Sequence, residues 1–156
     1  MGNILETADT DPRKAFKEFD KAVPRVENAA QKAKKRSEDI KARGKAYFEQ
    51  WEKELATLND PEIRQLAQQR KLKLEGSFDA LRSVMEPARD QFNTWLSSLK
   101  DVQKYLSNDL TINGIDAAKN LIGKTKSSGR EVQQTLDVVI TELNTIAATL
   151  TPAKAK

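Results

Sequence analysis

The stretch NDPEIR (residues 59–64) interrupts a long run of helical sequence and decides the fold. Asp60 is a residue type that caps helix N-termini, and Pro61 suits the first helical position because it needs no backbone N–H there. The same pair of residues occurs at Asp11 and Pro12. Both pairs therefore predict the start of a helix.

A further boundary lies at SNDLTING (residues 107–114), which is rich in turn-forming residues. Within it, Asn113 and Asp116 have the spacing of a capping pair. With these boundaries we expect three helices, over roughly 12–58, 61–107 and 113–150.

Apolar or small side chains recur every three or four residues along each expected helix. In the first helix they are Phe16, Phe19, Val23, Val26, Ala30, Ala33, Ser37, Ile40, Gly44, Tyr47 and Trp51. The same alternation runs from Ile115 to Leu150, and from Ile63 to Leu106 with one extra gap of four near Phe78, as in a stutter. Sustained heptad patterns favour coiled-coil packing, and short connections make neighbouring helices antiparallel.

The sequence thus predicts an all-α fold, an elongated up-down-up three-helix coiled-coil bundle. We expect one domain over residues 1–156, with frayed ends at 1–10 and 151–156. Pro24 predicts a kink in the first helix, or alternatively its true start, and Pro87 predicts a bend in the second. Gly123 and Gly129 predict a bend or a loop in the third helix.

A hairpin that folds near residue 60 places residue i opposite residue 120 − i, so Gly44 faces Gly76. Two glycines at one level indicate close helix approach, or room for a large neighbour. The third helix ends before the hairpin tip, which we define as residues 51–69. Tyr47 is then expected in the core, and the tip residues without cover are candidate contacts for a partner: Trp51, Leu55, Leu58, Ile63 and Leu66. Alternatively, these side chains pack on one another with the C-terminal tail folded over them.

The composition limits the chemistry. The chain has no cysteine and no histidine, which removes thiol catalysis, the usual zinc ligands and the commonest general base. Its carboxylates fall on solvated helix faces, and GKTKSSG (residues 123–129) lacks the strand and upstream glycine of a phosphate-binding loop. We therefore expect no enzyme activity, no metal and no cofactor. No apolar run reaches transmembrane length.

Positive charge is concentrated in the first helix. Residues 13–45 hold 12 Lys and Arg and five acidic residues, a balance of +7 in a chain whose net charge is +4. We define the basic patch as Lys32, Lys34, Lys35, Arg36, Lys41, Arg43 and Lys45. It is a candidate contact for an anionic surface, either lipid or polyanion, and otherwise a solvated helix face. Specific nucleic-acid recognition is not expected, because no stacking aromatics accompany the patch.

Four motifs occur in order, within a resemblance that extends over about residues 47–146: FEQWEKEL (48–55), NDPEIR (59–64), MEPARDQF (85–92) and LKDVQKYLSNDL (99–110). Their order and spacing resemble an uncharacterised bacterial family of long-helix, lipoprotein-like proteins. The resemblance implies a helical coiled-coil fold, no known activity and an envelope location. Members of that family usually begin with a lipoprotein signal and a lipidated cysteine, which this sequence lacks. The expected location is the periplasm or envelope if a leader was removed, and otherwise the cytoplasm.

Two functional hypotheses follow. The first is a non-enzymatic helical interaction or scaffold module that contacts a protein partner or its own copy through the hairpin tip. The second is a peripheral binder of anionic surfaces that uses the basic first helix.

Overall fold

The computed structural model describes residues 11–150, and these residues form three helices. They are α1 (Pro12–Thr57), α2 (Pro61–Asn108) and α3 (Ile112–Leu150). No strand occurs within residues 11–150. The predicted all-α three-helix bundle is confirmed, and each predicted helix end lies within one residue of the observed one. The predicted frayed ends at 1–10 and 151–156 lie outside the described residues.

The first two helices begin at the predicted caps. Asp60 Oδ1 accepts hydrogen bonds from the backbone N–H groups of Glu62, at 2.8 Å, and Ile63, at 3.1 Å. Asp11 Oδ1 accepts from the second and third residues after it, each at 3.1 Å. These bonds satisfy amides that have no acceptor inside the helix, so each aspartate fixes the start of its helix.

The cap of α3 was predicted wrongly. Thr111, rather than Asn113, precedes the first helical residue, and its Oγ1 accepts from the N–H of Gly114 at 3.0 Å. Asp109 Oδ1 in turn accepts from the Thr111 hydroxyl at 2.6 Å. Thr111 is therefore the capping residue, because its hydroxyl lies three residues before an amide that needs an acceptor.

All three helices continue through the residues that were expected to disturb them. Pro24 lies inside α1 and Pro87 inside α2. The stretch 123–129 is helical throughout, so the loop expected there is absent and α3 is not interrupted.

Within residues 11–150 the helices contribute to two compact units. The first unit combines 11–31 with 87–137, and the second combines 32–86 with 138–150. The core of the first unit is formed by Phe19, Val23, Leu99, Val102, Leu106, Ala118 and Ile122. In the second unit the buried apolar residues are Leu55, Leu74, Leu81, Val139 and Ile146. That the chain forms a single domain stays a prediction.

In the first unit α1 and α2 run antiparallel. The amide of Gln103 donates to Asp20 Oδ1 at 2.8 Å, and Lys100 pairs with Glu27 at 2.5 Å. The paired residue numbers add to 123 and 127, close to the 120 expected for a hairpin that folds near residue 60.

A tryptophan joins α2 to α3 in this unit. Trp95 Nε1 donates to the backbone carbonyl of Thr125 at 3.0 Å. Gly129 lies against the same indole, since a Cβ added there would be 2.9 Å from Trp95 Nε1. Gly129 therefore provides the space that the indole occupies, a role the sequence did not indicate.

The second unit corrects two predictions about α1. Gly44 does not face Gly76: its nearest neighbour is the Phe78 ring, 3.9 Å from an added Cβ, while Gly76 has nothing within 4 Å. Tyr47 was expected in the core but is 49% exposed. Phe48 takes the inward place, with its ring centroid 5.6 Å from that of Phe78.

Two further positions of the predicted apolar pattern, Ala33 and Ile40, are exposed as well. The inward residues between 30 and 44 are instead small and seven residues apart: Ala30, Ser37 and Gly44. In this part of α1 only one of the two predicted core positions of each heptad faces inward. The other position, occupied by Ala33 and Ile40, faces outward.

Candidate functional site

The hairpin tip is divided by the structure. Leu55 is buried, at 5% exposure, and Trp51 and Leu58 are half-buried. Ile63 and Leu66, in the first two turns of α2, are 53% and 67% exposed. The expectation that all five residues lack cover is therefore wrong for Leu55, whereas Ile63 and Leu66 do present an apolar surface.

The turn between α1 and α2 is closed by an arginine that the sequence analysis missed. The Arg64 side chain donates to the backbone carbonyl of Leu58 through Nε, at 3.0 Å, and through Nη2. A cation at the C-terminus of a helix satisfies carbonyls that lack an intrahelical donor. Arg64 lies three residues after Pro61, in the first turn of α2. That position next to the end of α1 is the signal from which its role in closing the turn could have been predicted.

Aromatic rings border the tip on α1. The centroid of Tyr47 lies 5.5 Å from that of Phe48 and 5.5 Å from that of Trp51, both in edge-to-face geometry. Such pairs stabilise by about 0.5–1.5 kcal/mol each beyond their buried area. The aromatic cluster therefore has an inner side, where Phe48 contacts Phe78, and an outer side, where Tyr47 is half-exposed.

Lys71 links the two helices of the hairpin. Its Nζ lies 2.6 Å from Glu52 Oε2 and 3.2 Å from Glu75 Oε1, and its side chain is only 13% exposed. The hydrogen bonds to Glu52 and then to Glu75 raise the pKa of Lys71 above its ordinary value of 10.5. Lys71 therefore stays charged at neutral pH and holds α2 against α1 below the tip.

All seven residues of the basic patch are exposed. Lys45 pairs with Glu49 at 3.8 Å. The other six form no ion pair with residues 11–150. Six of the seven cations of the patch therefore have no ion-pair partner among residues 11–150.

Exposed apolar side chains are unevenly distributed between the two units. Of twelve exposed large apolar residues within the described chain, eight lie in the second unit. They are Ile40, Tyr47, Ile63, Leu66, Leu72, Val138, Ile140 and Leu143. An excess of uncovered apolar surface is typical of a contact region.

Among residues 11–150, no cluster of three or more acidic side chains is placed to hold a metal ion. Across the same part of the chain, none of the helices is both long and apolar enough to cross a membrane.

These features define a class: an all-α three-helix bundle in which the basic patch and most of the exposed large apolar residues lie in the second unit. The chain belongs to the family described as a protein of unknown function (DUF2959), which matches residues 1–150. This confirms the resemblance to an uncharacterised family. No curated protein and no solved structure matches the chain.

Proposed function

We propose that this protein is a non-enzymatic helical interaction module that binds a protein partner through the hairpin tip. The observation that carries the proposal is the exposure of Ile63 and Leu66 at the end of a hairpin in which Leu55 is buried. Burying a large aliphatic side chain contributes about 1.5–3 kcal/mol, so two such residues are a useful anchor. Trp51 and Leu58, the other members of the predicted contact set, are half-buried.

The tip is also mechanically suited to be an anchor. Arg64 closes the turn, Asp60 fixes the start of α2, and Lys71 joins the two helices. A rigid surface loses little conformational entropy when it binds, which favours affinity.

The test is site-specific photocrosslinking in the cells that make the protein. A photoreactive phenylalanine analogue replaces Leu66, and in the control it replaces Leu72, which is 57% exposed on the same helix but outside the tip. The proposal expects a covalent adduct of defined larger mass from position 66 and none from position 72. An adduct within the chain itself, or equal labelling from both positions, would contradict it.

A second candidate function is supported by the six cations of the basic patch that form no ion pair with described residues. In this candidate, the middle of α1 binds an anionic lipid surface through Lys34, Lys35 and Arg36. Such binding weakens as salt screens the charges.

Vesicle co-sedimentation tests the second candidate. Replacement of Lys34, Lys35 and Arg36 by glutamine should abolish binding to vesicles that contain anionic lipid. The matched control removes the same charge at three exposed lysines of the first unit, Lys104, Lys119 and Lys124, and should retain binding. Equal loss in both variants would mean that net charge, rather than the patch, is responsible.

A further inference from the structure

The outer face of α1 in the second unit carries a second heptad pattern. Its residues, which we call the outer seam, are Arg36, Ile40, Arg43, Tyr47, Gln50 and Glu54. They follow one another at gaps of four, three, four, three and four, the spacing that keeps one stripe facing a neighbouring helix. All six are exposed, and the two large apolar members, Ile40 and Tyr47, are 50% and 49% exposed.

The charge along this part of the chain changes sign near the middle of the outer seam. Residues 32–45 hold the seven cations of the basic patch and two acidic residues, a balance of +5. Residues 46–62 hold five acidic residues and Lys53, a balance of −4. The two ends of the outer seam repeat this division, with Arg36 at the basic end and Glu54 at the acidic end.

A helix face that is basic at one end and acidic at the other is complementary to its own copy turned end for end. We propose that two copies of this protein pack α1 against α1 in antiparallel orientation along the outer seam, about a twofold axis near Lys45. This inference rests on the proposed interaction role and names the partner, a second copy, for a surface that overlaps the hairpin tip at Glu54.

The register follows from the spacing. With the axis near Lys45, residue i of one copy faces residue 90 − i of the other, so every outer-seam residue meets an outer-seam residue. Arg36 faces Glu54, and Arg43 faces the ring of Tyr47, a favourable cation–aromatic pair. Ile40 faces the aliphatic part of Gln50. Each contact occurs twice, because the interface of a twofold dimer is self-complementary.

Other arrangements fit less well. A parallel dimer places Arg36 on Arg36 and Glu54 on Glu54, which is repulsive at both ends. A lipid surface can attract the arginines but gives Glu54 no partner. Glu54 accepts a hydrogen bond from Gln50 Nε2 at 3.1 Å and forms no ion pair with residues 11–150, so its charge is available.

The dimer is expected to be weak and salt-sensitive. The outer seam covers 18 residue steps of helix, about 27 Å at 1.5 Å per residue. A contact along one helix of this length belongs to the small class of interfaces, below about 1,200 Å² in total. Four of its six residues are polar or charged, so added salt should weaken association.

Sedimentation velocity of the full chain, over a concentration series in low and in moderate salt, is the test. Arg36→Glu places like charges at both Arg36–Glu54 contacts, and so does Glu54→Arg. We expect each variant alone to associate at least about tenfold more weakly than the unaltered protein. The control Lys34→Glu makes the same charge change at an exposed position outside the outer seam and should leave the dimer largely intact.

Mixing the two variants gives the decisive result. The Arg36→Glu variant carries glutamate at both ends of its outer seam, and the Glu54→Arg variant carries arginine at both ends. In the mixed pair each glutamate faces an arginine, so both contacts become favourable again and a heterodimer should form. The double variant R36E/E54R should likewise recover self-association. All variants alter exposed residues, and circular dichroism should show unchanged helix content.

A monomer at every concentration in low salt overturns the proposal, and so does failure of the mixture to associate better than its parts. If that monomer binds anionic vesicles, with binding lost in Arg36→Glu and strengthened in Glu54→Arg, a lipid surface is the occupant. The crosslinking position at Leu66 lies outside the outer seam. A tip adduct without a dimer would therefore remove this inference and leave the proposed function standing.

Discussion

Replacing Gly129 with alanine tests how α2 and α3 are held together in the first unit. The indole of Trp95 donates to the Thr125 carbonyl at 3.0 Å and lies directly against Gly129. A Cβ at position 129 would be 2.9 Å from Trp95 Nε1 and 3.2 and 3.3 Å from Cε2 and Cζ2. The contact involves the rigid ring itself, so the indole or the helix must shift.

Two opposing effects determine the magnitude. Alanine is favoured over glycine inside a helix by about 0.5–1 kcal/mol. Against this, overpacking costs about 1–3 kcal/mol. A displaced indole also weakens a hydrogen bond that contributes about 0.5–1.5 kcal/mol. The net expectation for Gly129→Ala is a loss of about 2 kcal/mol in the free energy of unfolding, within limits of about 0.5 and 4 kcal/mol set by these ranges.

Urea unfolding followed by circular dichroism measures this loss. Gly123→Ala is the matched control, because Gly123 is exposed on the same helix and an added Cβ there has nothing within 4 Å. The control should gain about 0.5–1 kcal/mol. In a Trp95→Phe background the cost of Gly129→Ala should fall. If Gly129→Ala stabilises the protein as Gly123→Ala does, the proposed packing of the indole is refuted.

Three further predictions concern single residues. Gly114→Ala should lower the free energy of unfolding by about 3 kcal/mol in total, a larger loss than for Gly129→Ala. The reason is that an added Cβ would lie 2.5 Å from the Asp109 carbonyl oxygen. A smaller loss than that of Gly129→Ala in the same urea series would contradict this. Leu99→Ala should cost about 2–5 kcal/mol, because Leu99 is 2% exposed in the core of the first unit, and a loss below about 1 kcal/mol would place it outside a tightly packed core. Lys71→Met should lower stability at neutral pH. The raised pKa of Lys71 means that its stabilisation is complete below pH 10.5 and is lost as pH rises through the folded-state value. The difference between variant and unaltered protein should therefore shrink in unfolding curves above that pH, and a constant difference would assign the effect to packing.

The starts of α1 and α2 could be predicted from sequence because their signals are local. An aspartate followed by proline supplies both the cap and the first helical residue, and neither requires a distant contact. The start of α3 was placed on Asn113 because Asn113 and Asp116 have capping spacing. The cap falls on Thr111 instead, where Asp109 holds the hydroxyl in place.

The inward face of α1 in the second unit could not be predicted, because the sequence offers two adjacent aromatic residues. Tyr47 continues the heptad count, whereas Phe48 is one position out of it. The structure selects Phe48, whose ring meets Phe78 in the space beside Gly44. Which of two neighbouring aromatics turns inward is decided by the shape of the opposite helix, and spacing along α1 does not contain that information.

The candidate site was predictable only in part, because residue counting gives a position along a helix but does not show which side chains turn inward. Counting residues located the tip, and Ile63 and Leu66 are exposed there, but counting treated Leu55 as equally uncovered. Leu55 lies seven residues after Phe48 on the same face of α1, so once Phe48 turns inward the helical repeat carries Leu55 inward with it. The residues left outside by that choice, Ile40 and Tyr47, are the apolar members of the outer seam. A single packing decision at Gly44 and Phe78 therefore both completes the core of the second unit and creates the face on which the proposed dimer depends.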